Sequence, residues 1–279
     1  MLGEKGLKEL LLQICEEDKI PEGTDIYPLA LEMMEYIGTT DSVLRDDLIL
    51  SVLCYFIDDH LLSGNELKKL LDICLNDQHL FYRLGEEEDD SVFNRSFTIL
   101  IVKGIVCYHN SNGENLLNEE EAKKIFNEVI RYVRLEKDMR GYVKEKGWAH
   151  SMGHAGDALR TLALCNHIKE KELLEILEVI KEKVGISYYV FINEETERLT
   201  SAAVNVIERN ALIEEEVIHW IKSFEEIDKP ADFPEGHYFR ENTKGFLRSL
   251  YFRLKYRKAS NTIIEELEKT IYSMNKFHS

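Results

Sequence analysis

Two histidines four residues apart, with an aspartate three residues beyond them, lie in GWAHSMGHAGDAL, residues 147–159. On one helix His150 and His154 would share a face with Cβ atoms about 6 Å apart, the spacing that lets two imidazoles reach one divalent metal. Asp157 would stand about 10.5 Å along the axis from His150, at about 1.5 Å of rise per residue. That is too far to share the ion, so its expected part is to accept the N–H of His154 and orient the ring. A third ligand would have to come from another helix, with Asp90 or Asp46 as candidates. The same histidines are also open to three other readings: buried structural groups, recognition of a ligand or partner, and acid–base catalysis.

Gly153 and Gly156 each cost about 1 kcal/mol relative to alanine inside a helix. Their presence beside Ala149 and Ala155 predicts that something approaches this backbone closely, a neighbouring helix before a ligand. Trp148 could form a wall for either. The sequence holds no HExxH, no glycine-rich phosphate loop and no G-x-S-x-G. A metal-assisted hydrolase using His150 and His154 therefore stands as the alternative to a binding protein.

Charge narrows the partners. The 279 residues carry 35 Lys and Arg against 52 Asp and Glu, a formal net charge of −17, which repels nucleic-acid phosphates and anionic membrane surfaces. The basic stretch RSLYFRLKYRK, 248–258, alternates its cations with Leu, Tyr and Phe at helical spacing and reads as a core helix with snorkelling edges. No run of 18 apolar residues is present, and the start MLGEKGLKELLLQICEED lacks a small-residue cleavage site, so a cytoplasmic location is expected. The five cysteines are odd in number, lie in apolar runs and include no CxxC, which predicts reduced core thiols.

Proline occurs only at 21, 28, 230 and 234, leaving residues 29–229 without the strongest helix breaker. Apolar residues recur at i, i+3, i+4 and i+7, as in Leu44, Leu48, Val52 and Tyr55, and YYVFI, 188–192, is the one strand-like run, short enough to be a helical turn. Ser63–Glu66 and Asn118–Glu121 have the capping-box pattern, with Gly64 and Gly113 assigned to the intervening turns. Helices are expected at about 4–17, 26–37, 41–59, 64–76, 91–109, 118–137, 147–167, 170–184, 195–209, 213–228, 238–257 and 260–276. Short connections make successive helices antiparallel neighbours, and from residue 41 they fall into pairs beginning near 41, 91, 147, 195 and 238. This predicts a single all-α domain over 1–279, an α/α superhelix of HEAT or armadillo type, with a closed α/α toroid as the alternative.

The first helix of each pair carries polar residues near its start, whereas the second helices are ordinary amphipathic ones with a charged face. Either the polar residues make ion pairs that hold neighbouring pairs in register, or they line a concave surface. The candidate surface comprises Arg45, Asp90, Arg95, Ser96, Arg140, Trp148, His150, His154 and Asp157. Its expected ligand is a protein, a peptide or a small polar molecule, with a divalent metal at His150 and His154 as the cofactor to test.

RGYVKEKGWAHSMGHAGDAL, 140–159, and DSVFNRSF, 90–97, resemble the two signature regions of an uncharacterised family of bacterial all-helical proteins known only as a domain of unknown function. The family's own patterns run roughly RGYVEGKGWAHAVAHGADLL and DSVFTRSFSAL. LRDDL, 44–48, and FLRSLYFRL, 246–254, are similar to its ends, so the likeness extends over nearly the whole chain. It implies a helical-repeat fold and no activity. The positions it carries over are Asp90, Ser91, Arg95, Ser96, Arg140, Tyr142, Lys146, Gly147, Trp148, His150, His154 and Asp157. Lys144 and Glu145 depart from the family's Glu-Gly, which demotes Glu145 as a catalytic carboxylate. At 153, 155 and 156 the small residues are reshuffled but remain small.

Overall fold

The computed structural model describes residues 2–111 and 116–275; Gly113 lies outside them. Helices α1 (Gly3–Glu17) and α2 (Ile26–Glu35) lead to a π-helical segment, Val43–Ile49, that runs straight into α3 (Leu50–Asp58). There follow α4 (Gly64–Cys74), α5 (Ser91–Ser111), α6 (Glu119–Leu135), a hairpin of β1 (Tyr142–Val143) and β2 (Gly147–Trp148), and α7 (Ser151–Ala163). The chain ends with α8 (Glu170–Val184), α9 (Glu195–Glu208), α10 (Glu214–Lys222), α11 (Glu235–Tyr256) and α12 (Asn261–Met274). The fold is all-α, and the two capping boxes form as their sequences require. Ser63 and Asn118 accept from the N–H of Glu66 and Glu121, whose carboxylates accept in return from the N–H of Ser63 and Asn118.

The first helices of the expected pairs are neighbours in chain order: α3 packs on α5, α5 on α7, α7 on α9 and α9 on α11. Behind them α6 packs on α8, and α10 on α12. One apolar cluster runs from Leu7 to Met274. Helices α7 and α9 pack closely, and Gly156 permits it. A Cβ there would stand 2.9 Å from the carbonyl carbon of Arg198 and 3.0 Å from the backbone nitrogen of Leu199, inside ordinary van der Waals contact. The expected close neighbour of this backbone is therefore a helix.

Three local expectations are corrected. The helix expected over 147–167 begins only at Ser151, because residues 142–148 form the hairpin and Gly147 turns through φ +83° against Ser42 and Arg45. YYVFI is neither strand nor helix; it belongs to an irregular loop pinned by Asn242, which accepts from the N–H of Phe191 and donates to the carbonyls of Ile186 and Tyr189. Of the cysteines, only Cys74 and Cys165 are buried, while Cys54 is half-buried and Cys15 and Cys107 are exposed. By length and composition α5 is the one helix among the described residues able to cross a membrane, yet 72% of its apolar stretch is buried inside the protein.

Candidate functional site

The hairpin and the start of α7 are held by side chains from three earlier segments. Arg45, wholly buried on the π-helical segment, donates to the carbonyls of Thr39 (2.6 Å) and Lys146 (2.7 Å). Its guanidinium lies over the rings of Phe93 and Phe97, at 4.2 and 4.7 Å from their centroids. Its Nε stands 2.7 Å from Oδ1 of Asp46 at an angle that makes the contact electrostatic rather than a hydrogen bond. The Asp46 carboxylate also accepts from the backbone N–H of Trp148. Lys146 closes the hairpin outward on Asp90, at 2.8 and 2.7 Å to its two oxygens.

A second network fixes the segment that enters the hairpin. Arg95 and Glu136, both fully buried, form a two-point ion pair at 2.6 and 2.9 Å. The remaining Arg95 donors go to Ser91 and to the carbonyls of Tyr82 and Arg83, with a longer contact to that of Glu86. Lys183 donates to the carbonyls of Arg134 and Glu136 and so satisfies the end of α6; burial pulls its ammonium down to about 8. Arg140 grips Asp138 in a bidentate pair and reaches the carbonyl of Asp89.

His150 emerges from this frame as the N-cap of α7, in the left-handed conformation at φ 51°. Its backbone N–H donates to the carbonyl of Arg140 at 2.9 Å, and its ring lies across Gly153, where an added Cβ would fall 2.1 Å from Cδ2 and Nε2. The ring stands edge to face with Trp148 (5.2 Å between centroids) and with His154 (5.3 Å), and Trp148 in turn with Tyr142 (5.3 Å). Trp148 and Tyr142 are 43% and 59% exposed, whereas His150 and His154 are buried. A file of aromatic rings therefore leads from solvent to the seam between α5, α7 and α9.

The two imidazoles are neutral. Burial pulls His150 down to about 4, helped by the Arg198 cation, and His154 down to about 3, helped by its neighbour His150. His154 Nδ1 donates to the carbonyl of Ser96 at 2.9 Å, which fixes its tautomer and leaves Nε2 as an acceptor. His150 Nδ1 faces Oε1 of Glu195 at 3.7 Å, beyond hydrogen-bond reach, and both atoms are sealed from solvent without a hydrogen-bond partner. Glu195 opens α9 and is itself buried; its other oxygen accepts from the N–H of Asn193 at 2.7 Å. Burial raises its carboxyl pKa.

The expected residues divide sharply. The fold brings Trp148, His150 and His154 together, with the Ser96 carbonyl as the anchor of His154. Arg45 and Arg95 are buried and consumed by structural bonds, so neither lines an open surface. Asp90 and Arg140 lie at the hairpin's flank, each in an ion pair. Asp157 does not orient His154: the helix turns its carboxylate toward α9, where it pairs with Arg198. This is one of the inter-helix ion pairs that the sequence left open as the alternative to a binding surface. Glu195 was missed, because an acidic residue in a helix's first turn is what any helix start favours.

Among the described residues no three His, Cys, Asp or Glu side chains group so as to hold a metal ion. His150 and His154 could offer one Nε2 each. Their arrangement, with Nδ1 turned to a carboxylate in one and a carbonyl in the other, is the outer-shell pattern of metal-binding histidines, but the set stops at two nitrogens.

The fold and site thus define a class: an all-α protein in which α3, α5, α7, α9 and α11 pack one on the next, with neutral histidines beneath exposed aromatic rings at the start of a central helix. The chain belongs to the family described as "Protein of unknown function (DUF2785)", whose model matches residues 80–252, more than half the chain, with the hairpin, His150, His154 and Glu195 inside it and Arg45 and Asp46 outside. No curated protein and no solved structure shows significant similarity to it.

Proposed function

We propose that this protein is a helical-repeat binding protein, one cytoplasmic domain over 1–279, whose ligand docks at the edge formed by Tyr142, Trp148, His150 and His154. The serial packing of α3, α5, α7, α9 and α11 supports the superhelical reading, since such arrays present equivalent helix ends along one side. The ligand is a small polar molecule, or a peptide side chain, that combines a flat apolar part for Trp148 with hydrogen-bond donors for the Nε2 acceptors. The chain's net charge of −17 argues against nucleic acid and anionic membrane as partners.

The observation that carries the proposal is the pair of sealed, unpartnered atoms, His150 Nδ1 and Glu195 Oε1. An unmade buried hydrogen bond costs about 1–3 kcal/mol, and native folds retain few of them. A shift of the His150 ring of under about 1 Å would bring the pair to hydrogen-bond distance and leave Nε2 the stronger acceptor. Ligand contact with Trp148 and Nε2 supplies a reason for that shift.

The test is a ligand-observed NMR screen of small amides, ureas and amines against the wild type, Trp148→Ala and His154→Ala. Hits that vanish in both variants, with folding intact, support the site. Hits retained in both, or none in the wild type, contradict it. The metal-assisted hydrolase is kept as a second reading only for the Nδ1 pattern described above. Elemental analysis of untagged protein prepared without chelator tests it, and a stoichiometric transition metal would favour it.

A further inference from the structure

Helix α11 carries a second surface, independent of the histidine site. Its buried face is Phe239, Asn242, Thr243, Phe246, Leu247, Leu250 and Leu254. On the opposite side His237, Glu241, Gly245, Arg248, Phe252 and Tyr256 fall within one arc of about 100° at 100° per residue. No described side chain covers this stripe: a Cβ added at Gly245 would meet nothing within 4 Å, and Phe252 and Tyr256 are 66% and 89% exposed. Phe233, 84% exposed, sits beside His237 with ring centroids 6.3 Å apart.

The stripe is its own complement when reversed. Turning a second α11 antiparallel about the midpoint between Lys244 and Gly245 sets Glu241 against Arg248 and His237 against Phe252, each pair twice, and brings Tyr256 toward the segment before the helix that carries Phe233. Those pairings bring acid to base and aromatic to aromatic, and the same register sets the side-chain-free Gly245 against the buried Lys244 at the crossing, where two helices must approach most closely. Among the described residues Arg248 has no ion-pair partner, and Glu241 has only Lys244, at 3.3 Å on the same helix. A two-fold interface requires a surface that contacts itself in this way.

We propose that this face of α11 joins two copies of the chain in an antiparallel, two-fold dimer. The C-terminal end of the stripe borders a shallow groove lined by Phe252, Arg253, Lys255, Tyr256 and Arg257, which receives Phe233 of the second copy. A heterologous acidic partner would use Arg248 but would bring Glu241 no base beyond Lys244 of its own helix.

Sedimentation velocity on the full-length protein, from about 1 to 100 µM, is the test. The wild type is expected to dimerise. Arg248→Glu and Glu241→Arg, each placing like charges together twice, should each weaken the dimer at least tenfold, and the double exchange should restore it. Gly245→Leu should abolish dimerisation with an unchanged circular dichroism spectrum. A monomeric wild type over the whole range overturns the proposal. So does a dimer indifferent to the single exchanges, or a double exchange that fails to rescue while remaining folded.

Discussion

Replacing Gly156 by alanine sets two terms of opposite sign against each other. Inside a helix the change should stabilise by about 1 kcal/mol. In this fold the new methyl would stand 2.9 Å from the carbonyl carbon and 3.1 Å from the Cβ of Arg198, and 3.0 Å from the nitrogen of Leu199. The two backbone atoms cannot be moved by a rotamer change, so α7 and α9 must part by several tenths of an ångström. A gap of about 0.5–1 Å forfeits a quarter to a half of each dispersion contact along the seam, and overpacking in a tight core costs about 1–3 kcal/mol. The steric term wins, and Gly156→Ala should lose about 1–2 kcal/mol net. Urea unfolding followed by circular dichroism reads this directly. A neutral or stabilised variant would refute the close-approach explanation of this glycine. Gly153→Ala should behave differently, since its methyl meets the movable ring of His150; it should displace the imidazole at a smaller cost in stability.

Other substitutions separate scaffold from site. Arg95→Ala leaves Glu136 buried without its cation and should cost about 3–5 kcal/mol, whereas Arg95→Met with Glu136→Gln should recover much of it; paired urea titrations check both. Asp157→Asn should cost no more than about 1 kcal/mol, because its Arg198 partner is 40% exposed and solvent screens the pair. Stability should fall as pH drops from about 6.5 toward 4. The native histidines stay neutral down to about 4 and 3 while the unfolded chain already takes up protons, a loss of about 2 kcal/mol per histidine at pH 5. The raised Glu195 carboxyl works the other way, binding its proton more readily in the native state. His154→Asn should remove one histidine's share of the slope between pH 7.5 and 5.

The helices were legible because their signals are local. The proline-free stretch, the 3.6-residue periodicity and the two capping boxes each act within a few residues. The grouping of Trp148, His150 and His154 was also visible, since it lies within seven residues. What escaped depends on contacts far along the chain. Nothing within 147–150 announces a hairpin; it exists because Arg45 and Asp46, about a hundred residues earlier, bind the carbonyl of Lys146 and the N–H of Trp148. Asp157 was assigned to His154 on spacing, and only the approach of α9 showed that Arg198 claims it. Arg95 looked like a surface residue because its burial partner, Glu136, lies 41 positions away. Glu195 gave no signal that distinguished it from any helix-opening acid.

The central claim is that His150 and His154 are neutral, that His154 is held through Nδ1 while His150 turns Nδ1 toward Glu195, and that both present Nε2 to a ligand beneath Trp148. Long-range proton–nitrogen NMR of the imidazoles, with and without a hit from the screen, tests it most directly. Both rings should be Nδ1–H tautomers at pH 7 that resist protonation to below pH 5, and their Nε2 signals should shift on ligand addition together with the Trp148 indole. An Nε2–H tautomer at either ring, or a ligand that shifts other residues and leaves these nitrogens unmoved, would contradict the account.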